Sequence, residues 1–227
     1  MITDRAYYEK QAQQALERGG AFHCSEPEIT QVVIQMARRY LIDAASILDV
    51  GCGANLDYDR FLADMGKRPI CADFALGFLH LAPKDVRMPL VQADATLLPF
   101  ADSSFDAVIC SETIEHVLRD DSVVTEVARV LRPRGVLLIT VPNLWNASRL
   151  LEMAKQGDFT VRMMTGHLRE YGPRRLRILL RPYFAIEEWL PVTFGWTGKV
   201  GGPIDRLIRI GILKRFSKSI AFVARRK

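Results

Sequence analysis

The spacing of apolar residues changes several times along the chain, and each change marks an element. Residues 4–18 and 27–43 read as two helices, the second carrying Ile29, Val32, Val33, Met36 and Tyr40 at the spacing of a helix with one buried face. Short apolar runs then alternate with amphipathic stretches. The runs at 46–50, 69–72, 90–93, 105–110 and 136–141 predict strands, and 56–65, 76–81 and 123–131 predict helices. The last of these helices is expected to stop at Arg132-Pro133, where a residue without an N–H cannot extend it. This alternation predicts an α/β fold whose parallel sheet is covered on both faces. Beyond Pro142-Asn143 the pattern predicts a helix end at 176–180 and strands at 184–190 and 219–225. Between those strands lies an insert at about 191–217, rich in glycine, aromatic and basic residues. No repeat and no linker-like composition divides the chain. It therefore reads as one domain over 1–227: N-terminal helices to 44, a core at 45–145, and a further segment at 146–227 that includes the insert.

Composition adds two constraints. No run approaches the roughly 18 apolar residues needed to span a bilayer, and no apolar stretch of a signal peptide follows Met1-Ile2-Thr3-Asp4-Arg5. Cys24, Cys52, Cys71 and Cys110 form no Cys-x-x-Cys pair, and three of them lie in or beside strand-like runs, which predicts reduced thiols without structural zinc. A cytoplasmic protein follows as the expectation. Charge is uneven: residues 1–154 carry a net −6 and residues 155–227 a net +11. A basic end of this kind faces an anionic surface or is simply a solvated face.

The sharpest chemical signal is Ile47-Leu48-Asp49-Val50-Gly51-Cys52-Gly53-Ala54-Asn55, a buried strand that ends in a glycine turn where backbone can approach a ligand. A dinucleotide fingerprint would place a third glycine at 56, which is Leu56, and no Gly-Lys-Ser/Thr of a phosphate loop is present. Asp73 ends the second strand, where a carboxylate can accept both ribose hydroxyl protons, and Asp94 ends the third. Further along come Leu98-Pro99-Phe100, Ser104-Phe105-Asp106-Ala107-Val108-Ile109, Glu112-x-x-Glu115-His116, Glu126-x-x-Arg129 through Gly135, and Val141-Pro142-Asn143. Asp106 and Phe105 read as structural, and Asp102 as a turn residue.

In order and spacing these motifs resemble the class I S-adenosylmethionine-dependent methyltransferases, in particular those related to ubiquinone and menaquinone biosynthesis enzymes. The resemblance covers 45–145 closely and 165–227 weakly, and where the family's first motif has a third glycine this chain has Asn55. It implies a Rossmann-like doubly wound sheet of seven strands in the order 3-2-1-4-5-7-6, with 219–225 the antiparallel strand inserted between its neighbours. It also implies that Asp49, Gly51 and Gly53 hold the amino-acid end of the cofactor and that Asp94 with Ala95 meets its adenine. Phe74 and Ser111 complete the expected cofactor contacts, with Asp73 on the ribose.

Transfer from a sulfonium by in-line displacement asks only that a nucleophile be held in line at about 3 Å and that water be excluded. A base is needed where the nucleophile carries a proton. His116 and His167 are the candidates, the latter in Gly166-His167-Leu168-Arg169-Glu170-Tyr171, which resembles the segment closing over the acceptor in these relatives. Glu112, Glu115 and His116 fall at i, i+3 and i+4, one face of a helix. With His167 they resemble a set that binds a divalent metal in certain ubiquinone O-methyltransferases and small-RNA 2′-O-methyltransferases, so a metal is one reading and a His-carboxylate pair without metal is the other.

The expected acceptor is a small or lipidic molecule methylated on oxygen, nitrogen or carbon. The insert supports this by mixing Phe194, Trp196, Ile204, Leu207, Ile208, Ile212 and Phe216 with basic Arg206, Arg209, Lys214, Arg215 and Lys218. An RNA acceptor held by the basic region ranks below it, since no recognised RNA module accompanies that region. A cofactor-binding relative without catalysis is the non-enzymatic alternative.

Overall fold

A computed structural model of the chain describes residues 5–17, 27–146, 150, 154–155, 167–192 and 216–227. The elements among them run α1 (Arg5–Glu17), α2 (Pro27–Tyr40), β1 (Ser46–Val50), α3 (Asp57–Asp64), β2 (Arg68–Asp73), α4 (Leu76–Leu81) and β3 (Leu90–Gln92). They continue with β4 (Phe105–Ser111), a 3-10 turn (Ile114–His116), α5 (Asp120–Val130), β5 (Leu131–Pro142), α6 (Pro173–Leu180), β6 (Phe184–Val192) and β7 (Ser219–Arg226). The seven strands form one sheet in the order β3-β2-β1-β4-β5-β7-β6. β1 to β5 pair in parallel, and β7 runs antiparallel to both β5 and β6. This is the order that the resemblance implied.

Alternation along the strands puts one core on each face of the sheet. Ile47, Ala107, Ile109, Val136 and Leu138 meet α2 through Ile29, Val33, Met36 and Ala37. Leu48, Val50, Val108, Leu137 and Ile139 meet α5 through Val123, Val124 and Val127, and α6 through Leu176 and Leu180. The buried positions of α2 fall at intervals of four, three and one, which places them on one side of a 3.6-residue helix. Pro27 suits its first turn because a helix leaves that N–H unbonded, while Glu28 and Arg38-Arg39 complement its dipole.

Three sequence expectations need correction. The helix expected at 123–131 begins at Asp120 and stops at Val130, before Arg132-Pro133. β5 already starts at Leu131, which pairs with Phe105, and pairing resumes at Val136 with Ala107. Arg132 to Gly135 thus bulge from the ladder, with Arg134 at φ 64°, and Pro133 sits where no ladder N–H is asked of it. Glu112–His116 is not a helical face. Glu112 has φ 51° and lies outside a 3-10 turn of three residues, because its N–H bonds back to the Thr140 carbonyl of β5 at 3.0 Å. Finally, β6 extends through Val192, so the expected insert starts later than 191, and its residues 193–215 lie outside the described residues.

Candidate active site

The carboxyl ends of β1, β2, β3 and β4 converge on one edge, as the parallel register requires. At the end of β1 the chain turns through Gly51 (φ 79°) and Gly53 (φ 61°), a region in which L side chains are strained. Gly51 is also constrained by space. A Cβ there would lie 2.3 Å from Oγ1 of Thr113, which itself donates to the Val50 carbonyl at 3.1 Å and caps the turn from β4. Leu56, where a dinucleotide fingerprint needs its third glycine, takes φ 52° and is buried, so this turn reaches a similar backbone conformation without the glycine.

The turn is tied to β2. The N–H groups of Gly51 and Cys52 donate to the Ala72 carbonyl at 2.8 and 3.1 Å, and Gly53 N–H donates to Asp73 Oδ2 at 2.9 Å. Asp73 Oδ1 accepts from Ala75 N–H at 2.9 Å. Each carboxylate oxygen has two acceptor positions, so Asp73 keeps capacity for a pair of ligand hydroxyls. Burial raises its pKa above the usual carboxylate range, and the bonds from Ala75 and Gly53 work against that rise.

Asp49 lies beneath the turn, fully buried. Its Oδ2 accepts from the Tyr58 hydroxyl of α3 at 2.9 Å, and burial with Asp59 close by raises its pKa well above the ordinary value. Asp94 stands exposed at the end of β3, one oxygen accepting from the N–H and hydroxyl of Thr96 at 2.8 and 2.7 Å, with Ala95 buried behind it. Phe74 follows Asp73 under the Arg5 guanidinium, 5.1 Å from its ring centre. Ser111, at the end of β4, shares a 2.8 Å hydrogen bond with Thr140 of β5.

The second cluster lies beyond β4. Glu115 is fully buried, and desolvation together with Glu112 raises its carboxyl well above the ordinary range. His116 Nε2 stands 3.9 Å from Glu115 Oε1, and the rings of His116 and His167 meet nearly edge-on with centres 4.8 Å apart. Ligand atoms of Glu115, His116 and His167 all fall within 4.8 Å of one another, whereas Glu112 is not part of that group. The structure therefore brings together three of the four residues singled out in the sequence.

His167 reaches this edge because the chain around it is docked. Leu168 N–H donates to the Glu115 carbonyl at 2.9 Å, Arg169 pairs with Asp120 at 2.5 Å, and the Tyr171 hydroxyl donates to the same Asp120 at 2.9 Å. Arg169 and Tyr171 hold the Asp120 carboxyl below its ordinary pKa despite its partial burial.

Sequence reasoning passed over Tyr8, Thr113 and the Asp120–Arg169–Tyr171 group. Tyr8, on α1, lies edge-on to His116 with ring centres 6.0 Å apart. A threonine two residues after a strand and a tyrosine in a weakly amphipathic helix carry no motif. Only the Arg-x-Tyr spacing in the segment with His167 offered a hint. Asp106 proves structural, accepting from Ala45 N–H, Ser46 N–H and the Ser46 hydroxyl at 2.9–3.0 Å and pairing with Arg132. Asp102 pairs with Arg129 at 2.7 Å.

Comparison with known proteins agrees with this geometry. Residues 48–139 match the family described as a methyltransferase domain. The chain is 33% identical over 126 residues to a demethylmenaquinone methyltransferase of Renibacterium salmoninarum, covering 49% of this chain and 52% of that one. It is 33% identical over 101 residues to a Mycobacterium tuberculosis protein described as "Probable S-adenosylmethionine-dependent methyltransferase", covering 44% of this chain and 36% of that one. It thus spans about half or less of the length of these curated relatives. Among solved structures, the fold matches a Burkholderia thailandensis 1,6-didemethyltoxoflavin-N1-methyltransferase with bound S-adenosylhomocysteine. The TM-score is 0.68 at 17% identity, over 98% of this chain and 88% of that one.

Proposed function

We propose, from the premise that this chain belongs to the class I methyltransferases, that it moves a methyl group from S-adenosylmethionine to a small or lipid-like acceptor by in-line displacement. The observation that carries the cofactor assignment is the Gly51–Gly53 turn bonded to Asp73, a backbone turn at a strand end in which φ 79° and the close approach of Thr113 leave no room for a Cβ at Gly51. The residues present fit that cofactor. Asp73 offers a carboxylate for its ribose, Asp94 an exposed acid at the next strand end for its adenine, and the glycine turn a close backbone approach for its amino-acid end. Asp49, being buried, supports the turn from below through Tyr58. When bound, S-adenosylmethionine supplies an electrophilic methyl on a sulfonium that needs no further activation.

The chain's own groups then have three tasks. Glu115, His116 and His167 line the acceptor side, and the docked segment from His167 to Tyr171 keeps water from that edge. His116 takes the proton of a hydroxyl or amine acceptor, and His167, edge-on to it, orients the imidazole. Glu115 stands 3.9 Å from the His116 Nε2 and positions the imidazole; burial and Glu112 raise its carboxyl well above the ordinary range, so it keeps its own proton while His116 carries the acceptor's. The acceptor class rests on the named substrates of the relatives, a demethylmenaquinone and a didemethyltoxoflavin. No helix among the described residues is long and apolar enough to cross a membrane, and the unlinked thiols of Cys52, Cys71 and Cys110 suit the reducing cytoplasm to which we assign the protein.

A second reading has an observation of its own. Glu115, His116 and His167 offer one oxygen and two imidazole ligand atoms within 4.8 Å, a donor set that can hold a divalent ion and lower the pKa of an acceptor hydroxyl. One experiment tests both readings: a screen of quinol, catechol and heteroaromatic amine acceptors with labelled S-adenosylmethionine, run with and without a chelator. Turnover that survives chelation supports the His116 base. Turnover lost on chelation and restored by a divalent ion supports the metal. Calorimetric binding of NAD with none of S-adenosylmethionine would overturn the whole assignment.

A further inference from the structure

Helix α1 is docked across the site by contacts that leave one polar atom unused. The Glu9 carboxylate accepts from Leu76 N–H and Gly77 N–H of α4, both at 2.8 Å. Ala12 packs so closely on Gly77 that a Cβ there would stand 2.7 Å from the Ala12 methyl. Ala12, Ala75 and Phe78 form a small apolar cluster with Tyr8 and Leu81 at its margin. This docking fixes Tyr8 with its ring edge-on to both Tyr7 (5.1 Å) and His116 (6.0 Å). The Tyr8 hydroxyl is buried and has no hydrogen-bond partner among the described residues. Burial raises its pKa, and the nearby Asp73 and Glu115 carboxyls raise it further, so it remains a neutral phenol and is not a base.

The position of that hydroxyl is informative. Asp73 belongs to the cofactor edge and Glu115 to the acceptor edge, so Tyr8 lies at the seam between them. The Asp73 carboxylate on one side, the Tyr8 ring and its unpartnered oxygen make an environment that favours a cation: the carboxylate attracts it, the Tyr8 ring can do so through its own quadrupole, and the phenol oxygen can accept from its polarised C–H groups. A neutral thioether gains none of the charge-dependent part of this.

We propose that Tyr8 is a cofactor-contacting residue that recognises the positive charge of the sulfonium, so that docking of α1 favours S-adenosylmethionine over its neutral product S-adenosylhomocysteine. The proposal rests on the cofactor assignment above. It gives α1 a task at the reacting centre that none of the sequence motifs suggested, and it favours exit of the spent cofactor once the charge is gone.

The test is calorimetric binding of both ligands to the full chain and to its Tyr8→Phe and Tyr8→Leu variants, without acceptor. In Tyr8→Leu, affinity for S-adenosylmethionine is expected to fall by about 3–30-fold and that for S-adenosylhomocysteine by no more than about 2-fold. Tyr8→Phe, which keeps the ring, should fall between wild type and Tyr8→Leu. Equal losses for both ligands overturn the proposal, because α1 would then act as a cover indifferent to charge. Unchanged affinities overturn it too, because Tyr8 would lie off the cofactor. A wild-type chain that binds neither ligand overturns the cofactor assignment together with this inference, which separates the two failures.

Discussion

The edge proposed to hold the cofactor and the edge proposed to meet the acceptor, hereafter the cofactor edge and the acceptor edge, lie side by side on this sheet and are built differently. At the cofactor edge the working groups are largely backbone, shaped by Gly51 and Gly53 and clamped by one side chain, Asp73, from the adjacent strand. At the acceptor edge they are side chains drawn from α1, the 3-10 turn and the segment before α6, and these are held by contacts between distant parts of the chain. A site made of strand ends inherits its precision from the ladder. A site made of docked segments inherits it from each docking contact separately, which leaves its chemistry free to change without altering the sheet.

That contrast predicts different failures. The largest effect is expected at the acceptor edge. His116→Ala should lower kcat by about 10²–10⁴-fold through loss of the proton acceptor, while affinity for S-adenosylhomocysteine stays within about 3-fold. A fall in cofactor affinity as large as the fall in kcat would show that the two edges are not separable. Steady-state kinetics paired with calorimetry decides between them.

At the cofactor edge, Gly51→Ala should destroy the cradle. The φ of 79° is strained for alanine and the new methyl overlaps Thr113, for a combined destabilisation of about 2–4 kcal/mol and loss of cofactor binding by about 100-fold. Denaturant unfolding and calorimetry measure the two parts. A Gly51→Ala, Thr113→Ala double variant tests the overlap alone and should recover part of the stability. Asp73→Ala is milder, because Gly53 and Ala75 lose an acceptor that water replaces near the surface. Cofactor affinity should weaken by about 5–100-fold, with kcat at saturating cofactor little changed.

The same contrast explains what the sequence made visible. The cofactor edge was readable because strand, turn and acid recur at fixed offsets: Asp49-x-Gly51-x-Gly53, then Asp73, then Asp94. The order of the seven strands followed from the resemblance that these offsets support. The pairing of His116 with His167 was anticipated from the same source, but not the conformation that achieves it. Spacing alone put Glu112 on a helical face, whereas its N–H bonds to Thr140 and it adopts φ 51°, leaving Glu115 and His116 in a short 3-10 turn. Tyr8 was invisible because its place depends on Glu9 reaching the amides of α4, a long-range contact with no periodic trace.

Both edges are underlain by buried acids, and pH distinguishes their roles with the smallest of the expected effects. Beneath the cofactor turn, Asp59 of α3 is fully buried, and burial pushes its carboxyl up to about 7 even though Asp49 and Cys71 oppose the rise. A carboxyl whose folded pKa exceeds its unfolded value binds more protons in the native state, so stability falls as pH rises between the unfolded value of about 4 and the folded value. Asp59→Asn removes this dependence. The variant should match wild type near pH 4 and exceed it by about 1–2 kcal/mol at pH 8, as read by denaturant unfolding, because the wild-type chain at pH 8 must bury a charge or shift to release it. Its methyl-transfer rate at saturating cofactor should follow the wild-type pH profile. Glu115→Gln should do the reverse at the acceptor edge, altering the pH dependence of the rate, since Glu115 stands 3.9 Å from the His116 nitrogen proposed as the proton acceptor. If Asp59→Asn changed the rate profile instead of the stability slope, the acids under the cofactor turn would belong to the reacting centre and the division between the edges would fall.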